Sequence, residues 1–438
     1  MYEIMKKFEF TGETKTINLL FGTATLHRIR AVAKFGFVEI GELGGWIEKE
    51  ENLSHEENAW VYGDAKVYGN AKVYGNAEVR DKAEVCGNAI VYGNAKVGED
   101  AEVYDNAEVC GNVIVFGNAK VRGKAEVCGN AIVCDNAKVG ENAEVYGKAL
   151  IYGDAKVYGN AKVYGNAKVG EDAEVYDKAE VYDKAEVYGN AQIYGNAIVR
   201  ANAKVYGKAE VCGKAGVCGK AEIRDDAKVY DKAIVCEDAN VYGKAQIYGD
   251  AKVWYDAKVY GNAEVCGKAE VRGKAEIRDD ANVYGNANVY GNAKIYGNAK
   301  VYDNAKVWDD AIVCSNVKVY GNAIVCGNAK VYGNAKVYGN AEVCGKAEVC
   351  GKAEVFSTRH VLVIGTIGSQ DDFATFYRDK DNEITVKCGY FLDKIDKFLE
   401  KVTETHGDSN YALVCRAAVE AARLQIDLSN EVTKDADE

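Results

Sequence analysis

Proline is missing altogether from the 438 residues, and only 2 Met, 4 Trp and 4 His occur. Proline lacks the backbone N–H that a sheet ladder needs, so its absence suits one long, uninterrupted set of backbone hydrogen bonds. Long apolar runs are missing too. The start, Met1-Tyr-Glu-Ile-Met-Lys-Lys-Phe-Glu-Phe10, has no apolar stretch of the kind a signal peptide carries, and Leu19-Leu20-Phe21 is too short to span a bilayer. A soluble, cytoplasmic chain without membrane contact is expected. Charge of one sign is not concentrated either: the net value is −12, yet Lys and Glu alternate through the middle of the chain instead of forming a basic stripe. That pattern excludes a nucleic-acid rod.

What is present is a repeat. From Val61 to Val355 a Val or Ile recurs at every sixth residue, 50 positions in a row, with Ala two residues before each after the first except at Val113 and Val317. One form reads Val67-Tyr68-Gly69-Asn70-Ala71-Lys72, another Val97-Gly98-Glu99-Asp100-Ala101-Glu102. Alternation over Ala-Lys-Val-Tyr has period 2, which sends Ala and Val to one face and Lys and Tyr to the other. A strand of about four or five residues followed by a two-residue Gly-Asn corner is predicted, since Gly and Asn tolerate positive φ. Self-similarity at this short period is the mark of a β-solenoid.

The hexads resemble the hexapeptide repeat of left-handed parallel β-helices, which Val97–Glu102 matches position for position. The resemblance implies three hexads per triangular coil of 18 residues, hence about sixteen coils and a rod on the order of 75–80 Å long. The organisation expected is an N-terminal β-rich capping segment (1–58), the repeat (59–356) and a small C-terminal α+β domain (357–438). In the cap, Arg28–Lys34 reads as a strand and Gly41-Glu-Leu-Gly-Gly-Trp-Ile-Glu48 as turn-rich. In the tail, strands are predicted at His360–Thr366, Ala374–Arg378 and Ile384–Cys388, with helices near Leu392–Thr405 and Asn410–Leu428. The flanks add a second resemblance. Gly41–Ser54 running into Ala59–Ala65 looks like the lead-in of hexapeptide-repeat proteins of phages and prophages. Ile364–Ser369, Thr375–Tyr377, Val386–Phe391 and Thr405–Gly407 look like the tail module of that group, which is often labelled acyltransferase from the repeat alone.

Catalytic residues are not found. Hexapeptide acyltransferases, as the resemblance implies, use a His as general base and loops that wall an acetyl-CoA site. Here His27, His55, His360 and His406 all lie outside the repeat, and no loop interrupts it. No cofactor and no metal are expected. Twelve of the 14 Cys occupy the slot that otherwise holds Tyr, Arg, Gly, Trp or Phe. Cys110/Cys128, Cys218/Cys236 and Cys326/Cys344 fall 18 apart, close enough for a disulfide or a shared metal, but free thiols are the expectation for a cytosolic chain. Gly365-Thr-Ile-Gly-Ser369 lacks the Gly-Lys-Thr of a phosphate loop and reads as a turn ending a strand.

Binding candidates remain. The slot after Val is Tyr in 25 of 50 hexads, giving ladders such as Tyr284/Tyr302/Tyr320/Tyr338. The slot before Val is aliphatic at Ile90, Ile114, Ile132, Leu150, Ile198, Ile234, Ile312 and Ile324, on only two of three faces. Ile114, Ile132 and Leu150 stack there, with Phe116, Cys134 and Tyr152 beside them, as an outward apolar patch suited to a protein partner, self-association into an oligomer, or a flanking domain. In the tail, Ser369, Tyr377, Cys388 and His406 are the candidates. The sequence therefore favours a non-enzymatic solenoid scaffold, a phage or prophage accessory protein. The alternatives are an acetyl-CoA-dependent acyltransferase with His55 or His360 at a subunit interface, and a module that sequesters a small ligand or host factor.

Overall fold

The structure, a computed structural model, describes residues 5–19 and 22–429. Leu20 and Phe21 of the apolar triplet, and Met1–Ile4, lie outside the described residues. Contacts within the chain form two compact units, Met1–Asp226 and Ala227–Glu438. In both, the hexads build a β-solenoid. The recurring Val or Ile is at most 1 % exposed at every rung, and the Ala or Val two residues earlier is sealed as well. Rungs pair in parallel at an offset of 18, as in Lys66↔Glu84, Ile114↔Ile132 and Ile132↔Leu150, so three hexads close each coil.

Each hexad gives a strand of only two residues, Lys66–Val67 for example, and not four or five. The corner consumes the difference. Gly69 turns the chain at φ 68°, and its neighbours lead into and out of that turn. Hydrogen bonding to the next coil still runs on through the corner: the amides of Lys66, Tyr68 and Asn70 donate to Ala83, Val85 and Gly87 at 2.9, 3.0 and 2.7 Å. The glycine slot also accepts Asp at positive φ, as at Asp135 (φ 60°) and Asp303 (φ 58°). There the carboxylate accepts from the corner amide one coil on, Gly153 at 3.0 Å and Gly321 at 3.2 Å, which offsets part of the left-handed strain.

Because amides of this kind donate to the coil that follows, a first coil is left with carbonyls lacking donors and a last coil with amides lacking acceptors. The flanking segments supply both. In the first unit, β1 (Phe8–Leu19) and β2 (Gly22–Ala31) form an antiparallel hairpin, and β2 pairs with β3 (Leu43–Ile47), which lies parallel to Lys66–Val67. The turn-rich reading of Gly41–Glu48 is thus corrected to a strand, and the strand read at Arg28–Lys34 ends at Ala31. Trp46 and Glu48 donate to Ala65 and Val67 at 2.9 and 3.1 Å, Ser54 donates to Val73 at 2.9 Å, and Asn52 Nδ2 reaches Ala71 at 2.8 Å. Lys7, buried, closes the set by donating its ammonium to the Ala59 carbonyl at 2.8 Å, and burial lowers its pKa to about 8.

Gly44 and Gly45 explain how β3 comes so close. A Cβ on Gly45 would lie 2.6 Å from the Ala65 oxygen and 2.7 Å from Val61 Cγ1. Gly45→Ala therefore pushes β3 off the first coil and costs roughly 1–3 kcal/mol or more. Gly216→Ala, where an added Cβ meets nothing within 4 Å, serves as the near-neutral control. Denaturation midpoints of the two variants check this.

In the second unit, an antiparallel sheet of β4 (Val361–Ile367), β5 (Asp372–Arg378), β6 (Ile384–Cys388) and β7 (Phe391–Lys394) carries helices α1 (Ile395–His406) and α2 (Asn410–Gln425). The helix expected from Leu392 starts at Ile395, because Phe391–Lys394 pairs with β6 as a fourth strand. Acceptors for the last amides come from this domain. Glu348 N–H donates to Thr375 Oγ1 at 2.9 Å and Phe356 N–H to His360 Nδ1 at 3.2 Å, while Asp379 bridges Ala353.

His360 is 2 % exposed and stands edge-on to the Phe356 ring at 4.2 Å. Burial, then the nearby Arg378 charge, lowers its pKa to about 4, so at neutral pH the ring is an uncharged acceptor. An unfolded His binds its proton near pH 6.5, so the stability this group contributes is complete above that pH. It is lost as pH falls toward 4, by about 3 kcal/mol in all. Hydrogen exchange over residues 348–380 at pH 7 and pH 5 should show that loosening, and His360→Ala should remove the pH dependence.

Candidate functional site

The outer faces of the solenoid are largely satisfied by their own neighbours one coil away. Tyr284, Tyr302, Tyr320 and Tyr338 stack at 4.8–4.9 Å with their rings within 3° of parallel. Tyr hydroxyls donate to Glu carboxylates one rung over, as Tyr68 does to Glu84 at 3.0 Å. Lys and Glu form ion pairs along the columns, including Lys168–Glu186 at 3.0 Å. Corner Asn side chains form amide ladders, Asn76 to Asn94 to Asn112 to Asn130, at 3.0, 2.8 and 3.1 Å. The Asn repeat at 18 is visible in the sequence, where it reads as a turn signal.

One patch departs from this. Ile114, Ile132 and Leu150 occupy three successive rungs of one face. Ile114 is 38 % exposed, and Phe116 and Tyr152 are half-buried. Cys134 is 7 % exposed, its thiol turned to the Ile151 carbonyl and held up at about pKa 11, chiefly by burial. Tyr152 folds over Gly170, where any Cβ would collide with the phenol ring. Charged rungs frame the patch: Glu78 with Lys96 on one side at 3.5 Å, Lys168 with Glu186 on the other.

The expectation of free thiols is corrected at two pairs. Cys110–Cys128 and Cys326–Cys344 are disulfides, with Cα atoms 4.7 and 4.6 Å apart. Parallel rungs hold stacked Cα atoms at about the ladder spacing, inside the range a disulfide spans.

The tail candidates do not all converge. Ser369, Cys388 and His406 line one cavity of about 510 Å³ in the C-terminal domain. Its interior is made by Ile367, Cys388, Phe391, Phe398, Val402 and Cys415, and its mouth by Ser369, Gln370, Asp372, Lys401, Thr405 and His406. Tyr377 is elsewhere. It is fully buried on β5 and faces Cys350, whose sulfur is 3.3 Å from its hydroxyl. Gly368 (φ 73°) and Asp371 (φ 51°) make the tight turn from β4 to β5, and Ser369 sits in it with no helix following. His406 ends α1 just before Gly407, where a helix C-terminus favours a cation. Phe398, Val402 and Cys415 escaped the sequence reading because core packing alone explains their helical spacing.

Burial raises both thiols in the cavity, Cys388 to about 11, so they are neutral wall groups at ordinary pH and not nucleophiles. Of the two histidines offered as bases, His55 has both ring nitrogens engaged and His360 its Nδ1. His55 Nδ1 accepts from Lys7 N–H at 3.2 Å, its Nε2 lies 2.7 Å from Glu50, and its ring stacks on Phe8 at 4.3 Å. Among the described residues no group of three or more His, Cys, Asp or Glu is placed to hold a metal, and no helix is long and apolar enough to cross a membrane.

No curated protein matches the chain. Residues 191–207 match the family described as YdcK Beta solenoid repeat, a stretch that lies within the first unit's coils.

Proposed function

We propose that the chain is a non-enzymatic β-solenoid scaffold, a phage or prophage accessory protein, that engages a protein partner through the Ile114/Ile132/Leu150 patch. The observation that carries this reading is the contrast on the outer surface. Stacked Tyr, ion-paired Lys and Glu and laddered Asn satisfy one another coil to coil, whereas three successive rungs carry aliphatic side chains outward, Ile114 exposed and Ile132 and Leu150 half-buried. Contiguous exposed apolar surface of this kind marks contact sites. The engagement of His55 and His360 in holding the ends supports the non-enzymatic side of the reading.

Cross-linking of the full chain in extract of its native host tests it. One reproducible partner, lost on Ile132→Lys and kept on Ile324→Lys, is the expected result. Turnover of acetyl-CoA by the purified chain, or a partner indifferent to Ile132→Lys, would count against it.

A further inference from the structure

The cavity of the C-terminal domain plays no part in closing the solenoid, and its construction is that of a ligand site. At about 510 Å³ it falls within the usual range for small-molecule sites, with an apolar interior and a few polar groups gathered at the mouth. Tyr390 stands fully exposed at that mouth, in the turn between β6 and β7, though nothing in the fold requires an aromatic there. We propose that this cavity binds a small carboxylate with an apolar body, the body among Phe391, Phe398, Val402 and the two thiols, the head beside Lys401.

The placement of charge sets the orientation. Lys401, Thr405 and His406 lie on α1 at one lip. Among the described residues Lys401 holds an exposed ion pair with Glu404 at 3.4 Å, and pairs of that kind are weak enough to be exchanged for a ligand carboxylate. Asp372, on β5, is a carboxylate of the same mouth, packed so tightly on Gly389 that a Cβ there would lie 2.4 Å from Oδ2. An anionic head is therefore drawn to the Lys401 ammonium and kept from Asp372. The neutral thiols of Cys388 and Cys415 supply soft, polarisable walls beside the two Phe rings and offer no charge to compete with that arrangement.

The test uses the full chain with anilinonaphthalene sulfonate, an aromatic body with an anionic head, as fluorescent probe. Octanoate, octanol and octylamine serve as competitors. The expected result is displacement in the order octanoate, octanol, octylamine. Lys401→Glu, an exposed substitution, should weaken octanoate about fivefold to tenfold and leave octanol unchanged. Val402→Trp, which fills the cavity, should abolish the part of the probe signal that octanoate displaces, with helix content checked by circular dichroism. Octylamine competing as well as octanoate, octanoate indifferent to Lys401→Glu, or no probe binding by the wild-type chain would each overturn the proposal. None of these outcomes touches the patch on the solenoid, so the two readings stand or fall apart.

Discussion

On raising the pH past about 10, those ladder tyrosines whose pKa the fold raises stay protonated, and the chain then unfolds in one step as they ionise together. The expectation follows from where the phenols sit. Stacked rings exclude water from one another, and many hydroxyls donate to a Glu one rung away, a bond that ionisation would turn into repulsion. Tyr158 and Tyr320 are pushed up to about 12, by burial first and then by neighbouring Glu and Tyr charge. Tyr92 reaches about 12 through its hydrogen bond to Glu108. Tyr164, Tyr194 and Tyr248 move further in the same direction.

The sign is that of a group whose folded pKa is raised. The unfolded chain releases these protons near pH 10, so stability is intact below that pH and falls as pH climbs through the folded values. A two-unit shift on each of three tyrosines is worth about 8 kcal/mol in a dry core; halved for the screening that their partial exposure allows, it is still on the order of 4 kcal/mol. Lys7 opposes the trend, since its lowered pKa costs the folded state stability below about pH 8 and that cost fades by about pH 10.5, but it is one group against many. Tyrosinate absorbance and far-ultraviolet circular dichroism, followed on the same sample, should change together. Smooth titration near pH 10 with the fold intact would mean that the ladders do not stack.

Much of the fold was legible because the hexad is redundant. At Val67-Tyr68-Gly69-Asn70-Ala71-Lys72 the alternation, the small inward residue and the positive-φ corner all point to the same structure. The ends were harder, since their logic lies in tertiary contacts. Gly44 and Gly45 looked like turn residues, whereas they are bare so that β3 can approach Trp60, Val61 and Ala65. β1 was missed because Thr, Glu and Lys fill a strand that is mostly exposed on both faces, leaving no alternation to read. Leu392–Lys394 reads as the start of a helix because Leu392 continues the spacing of α1, and only pairing with β6 decides between them.

The candidate sites divide the same way. Ile114, Ile132 and Leu150 were found by counting in eighteens, which the register reproduces. Ser369, Cys388 and His406 were named individually, but their meeting depends on how α1 and α2 pack on the sheet. Nothing local in the sequence announces that Cys415 of α2 comes to share a cavity with Cys388 of β6. Tyr377 was drawn in by proximity to the same motifs, and alternation along β5 points it instead at Cys350.

Removing whole coils tests the central claim most directly, namely that three hexads with Val and Ala inward make one self-sufficient layer. Deleting residues 157–174 excises one register step of 18, joins Lys156 to Val175 and keeps every downstream rung on its face. In a structure stabilised by nearest-neighbour layers, that chain should fold with an unchanged circular dichroism per residue and resist proteolysis as the parent does. Deleting residues 157–165, half a step, brings Asn166 to the position of an inward Val and should expose the junction to protease. Loss of folding in the 18-residue deletion, or equal resistance in both, would contradict the account.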